Sequence, residues 1–431
     1  MLDIKLIRQN PEEVKEGLKK RNFDVGIIDD ILVLDSKWRE ILKELEEGRA
    51  EMNRSSKEKP SPEEMENLKK LKNKLKDLED GLAVAEKNLE EKLYSLPNLP
   101  LSDVPVGKDE KDNVVLREVG KKPEFSFEPK KHYELGESSR FALRKAQTAN
   151  RGSSIAKQSG LDIIDTERAA KVSGSRFGYL KGQAALLEFA LINFALKKLI
   201  KKGFIPVIPP VLIKEEMLKG MGYIDTEDDR EERYYLEKDK QYLVGTSEQS
   251  VGPMHSGEVF EEKDLPVRYV AFSSCFRREA GSYGKDVRGM MRVHQFDKLE
   301  MFSYSKPEDS ESEHKLLLAI EEELMKELGL PYRVVHLSTG DTARPLASTF
   351  DIETWFPGLG EYKETHSTSN ATDFQARRLN IRLRRKNGDL EFVHMLNGTA
   401  FAVGRTILAI LENYQQKDGS IKIPKALKKY M

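Results

Sequence analysis

Residues 276–300 carry more chemistry than any other stretch of the chain. They read Phe276-Arg277-Arg278-Glu279-Ala280-Gly281-Ser282, then Arg288-Gly289, then Met291-Arg292-Val293-His294-Gln295-Phe296, and end at Glu300. Arg277 and Arg292 each sit in a strand-like run, and Gly281, Gly284 and Gly289 lie between them. Strand-like runs around a glycine-containing loop predict a hairpin. Two guanidiniums turned into one cleft suit a polyphosphate, because each pairs bidentately with phosphate and keeps its charge. Glu279 and Glu300 offer acceptors for an amine or for the donor edge of a purine. A surface hairpin held by salt bridges would use the same residues, and on the hairpin alone the two readings stand level.

Other segments add to the inventory. Tyr242-Leu243-Val244-Gly245-Thr246-Ser247-Glu248 ends a strand-like run on hydroxyls and a carboxylate, which fits a ligand contact or a helix cap equally well. Leu396-Asn397-Gly398-Thr399-Ala400-Phe401-Ala402-Val403-Gly404-Arg405 leads into an apolar, helix-like run to Tyr414. A buried arginine without a partner is costly, so a phosphate accounts for Arg405 better than packing does. No G-x-x-x-x-G-K-[ST] loop occurs, so any nucleotide must bind by another mode.

The chain has 431 residues, enough for two or three domains with a substantial core. Charged residues make up 34% at a net charge of −1, which excludes a simple polycationic nucleic-acid binder and leaves RNA contact to local patches. The lone Cys275 excludes a disulfide framework and a multi-cysteine zinc site; it reads as a small buried hydrophobe. The seven histidines show no metal-ligand spacing. The N-terminus lacks an apolar signal core and no run of 18 apolar residues occurs, so a cytoplasmic protein without a membrane span is expected.

The positioning elements follow from periodicity. Asn10-Pro11-Glu12-Glu13 predicts a helix start capped by Asn10. Ile31, Leu34, Trp38, Ile41, Leu45, Gly48 and Met52 form one heptad seam; Leu68, Leu71, Leu75, Leu78, Leu82, Ala85 and Leu89 form another. Lys59-Pro60-Ser61-Pro62 separates them, with Ser61 as the expected cap of the second helix. The result is an antiparallel hairpin of roughly 40–50 Å per helix, projecting as an arm over about residues 27–96. Such an arm commonly serves as a spacer or dimerisation coiled coil. The acid-free cluster Lys69, Lys70, Lys72, Lys74 and Lys76 instead suits RNA phosphates, although lysine also simply favours helix. Beyond a linker at 97–124, a helix is expected from Gln183 to Lys202, with strands at Ile205–Ile208, Arg268–Ser273, Met291–Phe296 and Phe350–Trp355. Strands in series joined by turns predict an α+β body with a largely antiparallel sheet and helices packed on it.

The 276–300 stretch resembles motif 2 of class II aminoacyl-tRNA synthetases, and its Arg292-to-Glu300 tail resembles the seryl-tRNA synthetase version. Lys171 to Phe177, the following helix and Gly203 to Pro210 resemble motif 1; Leu396 to Arg405 resembles motif 3; Thr246-Ser247-Glu248 resembles the family's Thr-x-Glu loop, where Ala often replaces Ser. Glu361 to Asn370, with the later Arg377-Arg378, resembles the family segment that approaches the phosphates; that arginine pair reads as structural or as facing the tRNA acceptor end. Ala50 to Lys57 and Leu96-Pro97-Asn98-Leu99-Pro100 match the arm and its hinge, so the resemblance covers essentially the whole chain. One segment departs: Gly340 to Phe350 lacks the family's Met-Gly and a later Lys, while keeping Asp341, Asp351 and Glu353.

The resemblance implies a tRNA-binding domain over 1–110 and a class II catalytic domain over 111–431. It implies ATP-dependent attachment of L-serine to tRNA(Ser), and to selenocysteine tRNA where present, through a seryl-adenylate, by a homodimer using Mg²⁺ and no zinc. Arg277, Arg405 and Glu364 would be catalytic. Arg278, Glu279, Arg292, Val293, Phe296, Thr365, His366 and Ser367 would join them around ATP, with Phe296 and Arg405 on the two faces of adenine. Glu364 and Ser367 offer oxygen donors for the cation. Thr246, Ser247, Glu248, Arg277, Glu300, Asn397 and Thr399 would hold serine, with threonine excluded sterically. Two rivals are a ligase that loads a carrier protein, whose known relatives lack the arm, and a non-catalytic coiled-coil interaction protein, which would not need the arginines and glutamates above.

Overall fold

The computed structural model describes residues 1–55, 62–135, 164–280 and 289–431. Contacts divide them into two compact units, Met1–Pro100 and Leu101–Met431. In the first, α1 (Ile4–Gln9) and α2 (Pro11–Lys20) precede two long helices, α3 (Gly26–Ser55) and α4 (Pro62–Tyr94). The predicted cap at Asn10 does not form: its side chain bonds Glu13 instead (Nδ2 to Oε2, 3.2 Å), and Pro11 starts α2 without it. The expected cap at Ser61 and the break before it lie outside the described residues.

The heptads pair α3 with α4. Ile31 and Leu45 are buried on one helix, and Leu75, Ala85 and Leu89 on the other. Gly48 takes a seam position because Leu75 fills the space: a Cβ there would stand 2.7 Å from Leu75 Cδ2. Ion pairs flank the seam, Arg49 to Glu79 at 2.8 Å and Lys92 to Asp30 at 3.1 Å. Periodicity gave no warning of Asp35, whose buried carboxylate is held by Arg8 (2.7 Å) and Arg39 (3.0 Å); two cations offset the cost of burying it. Lys69, Lys70, Lys72, Lys74 and Lys76 are all exposed. At about 100° per residue, Lys69, Lys72 and Lys76 share one stripe and Lys70 and Lys74 another, on opposite flanks of the seam. Glu66 and Glu44 partly neutralise the second stripe (3.4 and 3.8 Å).

The second unit is α+β. Its main sheet has eight strands: β1 (Val114–Val119), β2 (Ile205–Val207), β3 (Val267–Phe276), β4 (Gln295–Ser305), β5 (Tyr332–His336), β6 (Ser348–Phe356), β7 (Glu361–Asn370) and β8 (His394–Ala402). The order is β1-β5-β6-β7-β8-β4-β3-β2, antiparallel except where β2 runs parallel to β3. The hairpin of 276–300 is β3–β4, with Phe276 opposite Gln295. The expected strand at Met291–Phe296 starts later, at Gln295: Arg277 N still bonds His294 O at 3.0 Å, but His294 N turns away to Arg176 O at 2.9 Å, which ends the ladder. Three helices, α5 (Gln183–Lys201), α6 (Ser310–Leu328) and α7 (Val403–Asn413), cover one face, and Leu191, Leu324 and Ile407 meet Leu299 and Met301 there. Alternation along β4 then points Lys298 and Glu300 to the other face.

Candidate active site

A cavity of about 540 Å³ opens on the second unit, a size suited to a small-molecule site. At one end stand Arg277, Arg292 and Arg405 with Phe296, Val293 and Met291. The Arg277 guanidinium lies 5.3 Å over the Phe296 ring, and its Nε donates to Gly245 O at 3.2 Å. Glu279 adopts φ +53, a conformation uncommon for a side-chain-bearing residue. Its carboxylate meets Arg292 at 3.3 Å.

Arg405 begins α7 and donates to Glu364 O at 3.0 Å and Glu364 Oε2 at 3.1 Å. Burial pushes the Glu364 carboxyl up, but Arg405 and Arg277 outweigh it and hold the group below its usual value. Ser367 also faces the cavity and lies opposite Asp351 across the β6–β7 ladder; Asp351 Oδ1 is shut from solvent without a hydrogen-bond partner. Burial and the neighbouring Glu364 raise Asp351 strongly. Carboxylate and hydroxyl oxygens beside converging arginines fit a hard cation shared with phosphate. Among the described residues, no three His, Cys, Asp or Glu form a protein-only metal cage.

At the other end, Thr246, Glu248, Asn397 and Thr399 line the wall as their segments predict. Lys298 Nζ donates to Thr246 Oγ1 (3.3 Å) and sits 2.5 Å from Glu300 Oε2, too obliquely for a directed hydrogen bond. Glu300 is almost fully buried behind Lys298 and does not itself reach the cavity wall. Desolvation pushes its carboxyl up to about 7, against the pull of Lys298. Three other residues proposed from sequence stand off the wall. Ser247 is buried with Oγ 3.5 Å from Ala271 O. Arg278 lies over Tyr234 at 5.9 Å. His366 packs edge-on against Phe401, and burial drives its imidazole down to about 3, so it is neutral. Thr365 lines the wall, but its hydroxyl is engaged by Thr354 at 2.7 Å. Arg377 and Arg378 are ion-paired with Asp373 (2.7 Å) and Asp225 (2.8 Å).

The cavity also contains residues the sequence reading missed: Tyr223, hydrogen-bonded to Glu248, and Arg233, Lys298, Glu188 and Leu346. Only Lys298 left a local signal, since it shares a strand face with Glu300 two positions on. Leu346 comes from the departing loop, which is anchored by Ala347 N to Asn370 O at 2.8 Å.

Residues 1–100 match the seryl-tRNA synthetase N-terminal domain, and residues 229–414 match the class II tRNA synthetase core domain of the G, H, P, S and T enzymes. The serine–tRNA ligase of Caldicellulosiruptor saccharolyticus is 46% identical, with 100% of this chain and 99% of that protein covered. The chain belongs to the seryl-tRNA synthetase family. Solved members resemble it closely. The Pyrococcus horikoshii seryl-tRNA synthetase, determined with ATP, is 41% identical at a TM-score of 0.89, covering 100% of this chain and 98% of that one. The cytoplasmic serine–tRNA ligase of Naegleria fowleri, determined with AMP, is 31% identical at 0.85, covering 100% and 97%.

Proposed function

We propose that the chain attaches L-serine to tRNA(Ser) at the expense of ATP, through a seryl-adenylate, releasing AMP and pyrophosphate. The observation that carries this is the polarity of one cavity: three arginines beside Phe296 at one end, and Glu248, Thr246 and Thr399 at the other. ATP takes the arginine end and serine the carboxylate end. The serine carboxylate attacks the α-phosphorus, the bond to the β-phosphate bridge breaks, and pyrophosphate leaves. Arg277, fixed on Gly245 and Phe296, faces the charge that develops at that junction. Arg292 and Arg405 take the outer phosphates. Glu248 takes the ammonium; Thr399, and Glu300 acting through Lys298, favour the serine hydroxyl, since a substrate lacking it leaves buried polar groups unpaired. Mg²⁺, held by Glu364 and Ser367 when bound, supplies neutralising charge for the triphosphate. The terminal ribose hydroxyl of tRNA then displaces AMP.

The arm supports tRNA as acceptor over a carrier protein, with Lys69, Lys72 and Lys76 the better-placed contacts because no acid neutralises their stripe among the described residues. Homodimerisation is supported by apolar side chains that α5 and the adjoining strand region leave exposed: Leu186, Phe189, Ile205 and Ile208. An obligate interface of on the order of 2,000 Å² would cover them. No helix of the described residues is long and apolar enough to cross a membrane, and the cytoplasm is the proposed place of action.

ATP–pyrophosphate exchange across the twenty amino acids tests the reading; exchange with serine alone is expected, and its absence would refute it. Replacing residues 38–90 by a short Gly/Ser turn should leave exchange intact and collapse transfer to tRNA. Changing the five lysines to Gln should lower the salt slope of tRNA binding by up to roughly one unit per lost phosphate contact.

A further inference from the structure

Arg233 follows the short helix Glu227–Glu231, and nothing in its sequence neighbourhood marks it for chemistry. The fold brings it into the cavity wall beside Tyr223, with its guanidinium 5.7 Å from the ring centroid. Tyr223 is itself tied to Glu248. On its other side, Arg233 Nη1 stands 3.5 Å from where a Cβ on Gly245 would be, and Gly245 is the residue whose carbonyl fixes Arg277. Two guanidiniums thus flank one glycine. Among the described residues, no carboxylate lies within ion-pair distance of Arg233, and its Nε is shut from solvent without a hydrogen-bond partner. Burial and the charge of Arg277 both pull the Arg233 guanidinium down from its ordinary value, while the through-space pull of Asp229 and Glu232 is smaller. A buried cation facing a second cation is a costly arrangement unless an anion joins them.

The position of that anion follows from its neighbours. Arg292 and Arg405 lie with Phe296 at the nucleotide end, whereas Arg233 adjoins the Tyr223–Glu248 pair. In an α-amino acid a single carbon separates ammonium from carboxylate. An ammonium on Glu248 therefore places the carboxylate next to Arg233, on the side of Arg277.

We propose that Arg233 is a second carboxylate clamp, holding with Arg277 the carboxylate of the bound amino acid as it approaches the α-phosphate. Arg233 is a substrate-positioning residue: its planar fork fixes which carboxylate oxygen faces phosphorus, and the anion relieves the repulsion between the two guanidiniums. The assignment rests on the orientation of serine and ATP given above, which serine-dependent exchange by the wild-type enzyme tests separately.

The experiment compares L-serine with L-serinamide, which keeps the ammonium, hydroxyl and shape but replaces the carboxylate by a neutral amide. Serine affinity, serinamide inhibition of exchange and AMP affinity are measured for wild type, Arg233→Met and Arg233→Lys, with circular dichroism as the check on folding. A lost charge-assisted pair in a buried site is expected to weaken L-serine by roughly 10–100-fold in Arg233→Met. Serinamide and AMP should each change by less than about threefold, and Arg233→Lys should recover part of the serine loss because it restores charge without the fork. Equal weakening of serine and serinamide would overturn the proposal in favour of a structural role. Weakened AMP with unchanged serine would overturn it in favour of a phosphate contact, and unchanged affinities would overturn it outright. Should Arg233→Met fail to fold, Arg233→Lys carries the same three-ligand comparison.

Discussion

At the proposed nucleotide end of the cavity, Arg277, Glu279, Arg292, Val293 and Phe296 come from one hairpin and its approach, joined by Arg405 of α7 and Glu364 of β7. At the proposed serine end, Tyr223, Arg233, Thr246, Lys298, Leu346 and Thr399 come from separate segments that meet only in the folded chain. The two ends also differ electrostatically. The first gathers guanidiniums around an aromatic ring, residue types that suit a phosphate although the hairpin alone suits a salt-bridged surface equally. The second buries Glu300, Lys298 and Glu248 together, and its character depends on how far each is desolvated. A ligand end built mainly on one hairpin tolerates more change elsewhere in the fold, whereas an assembled end inherits every shift in the elements that converge on it.

The sharpest way to break that contrast is Arg277→Ala. It touches both ends, and loss of one preorganised charge at the developing oxyanion should lower the rate of serine-dependent exchange by about 10²–10³-fold in a folded protein. Near-normal exchange would show that the hairpin does not carry the chemistry.

Glu300→Gln probes the serine end next. It should lower kcat/KM for serine by roughly 10–100-fold and leave the KM for ATP within a factor of a few. Since desolvation places the Glu300 carboxyl at about 7, the ionised form that partners Lys298 is lost as pH falls below that value. Wild-type kcat/KM for serine should therefore decline towards acid with a midpoint near pH 7, and the decline should vanish in Glu300→Gln. A pH profile identical in both proteins would contradict the assignment.

Leu346→Ala sharpens the comparison on the steric side. Leu346 is the aliphatic wall contributed by the loop that departs from the family pattern. Room for one more methyl group should cut the serine-over-threonine ratio of kcat/KM by about tenfold. An unchanged ratio would move the threonine barrier elsewhere.

The smallest effect is expected at Glu188, on α5 in the cavity wall. Burial, then the hydrogen bond to Asp297, raises its carboxyl from 4.5 to about 8. A carboxyl whose folded value is raised stabilises the fold fully below its unfolded value, and that contribution is lost as pH rises through the folded value. Between pH 4.5 and 8 the wild-type protein should thus lose stability that Glu188→Gln retains. Melting scans at pH 5 and pH 9 should show a gap narrower in the variant by on the order of 2 °C; equal gaps would reject the raised value.

The sequence by itself determined the arm, because a heptad seam has one efficient way to bury itself: Ile31, Leu45, Leu75 and Leu89 meet as their spacing requires. It also determined the β3–β4 hairpin, since glycine placement and strand alternation act over short stretches of chain. Local rules misjudged Asn10, whose side chain found Glu13 before the helix amide, and the start of β4, which the bonding of His294 N to Arg176 O delays. They were silent on Asp35, Tyr223, Arg233, Glu188 and Leu346, because no periodicity records a partner that belongs to another element of the fold. Only the tertiary structure decided which hydroxyls and imidazoles turn into the core, as His366 and Ser247 do, and which carboxyls are desolvated enough to hold a proton near neutrality. Burial is a property of the packed molecule, and both the ionisation of Glu300 and the convergence of Arg233 on Arg277 follow from it.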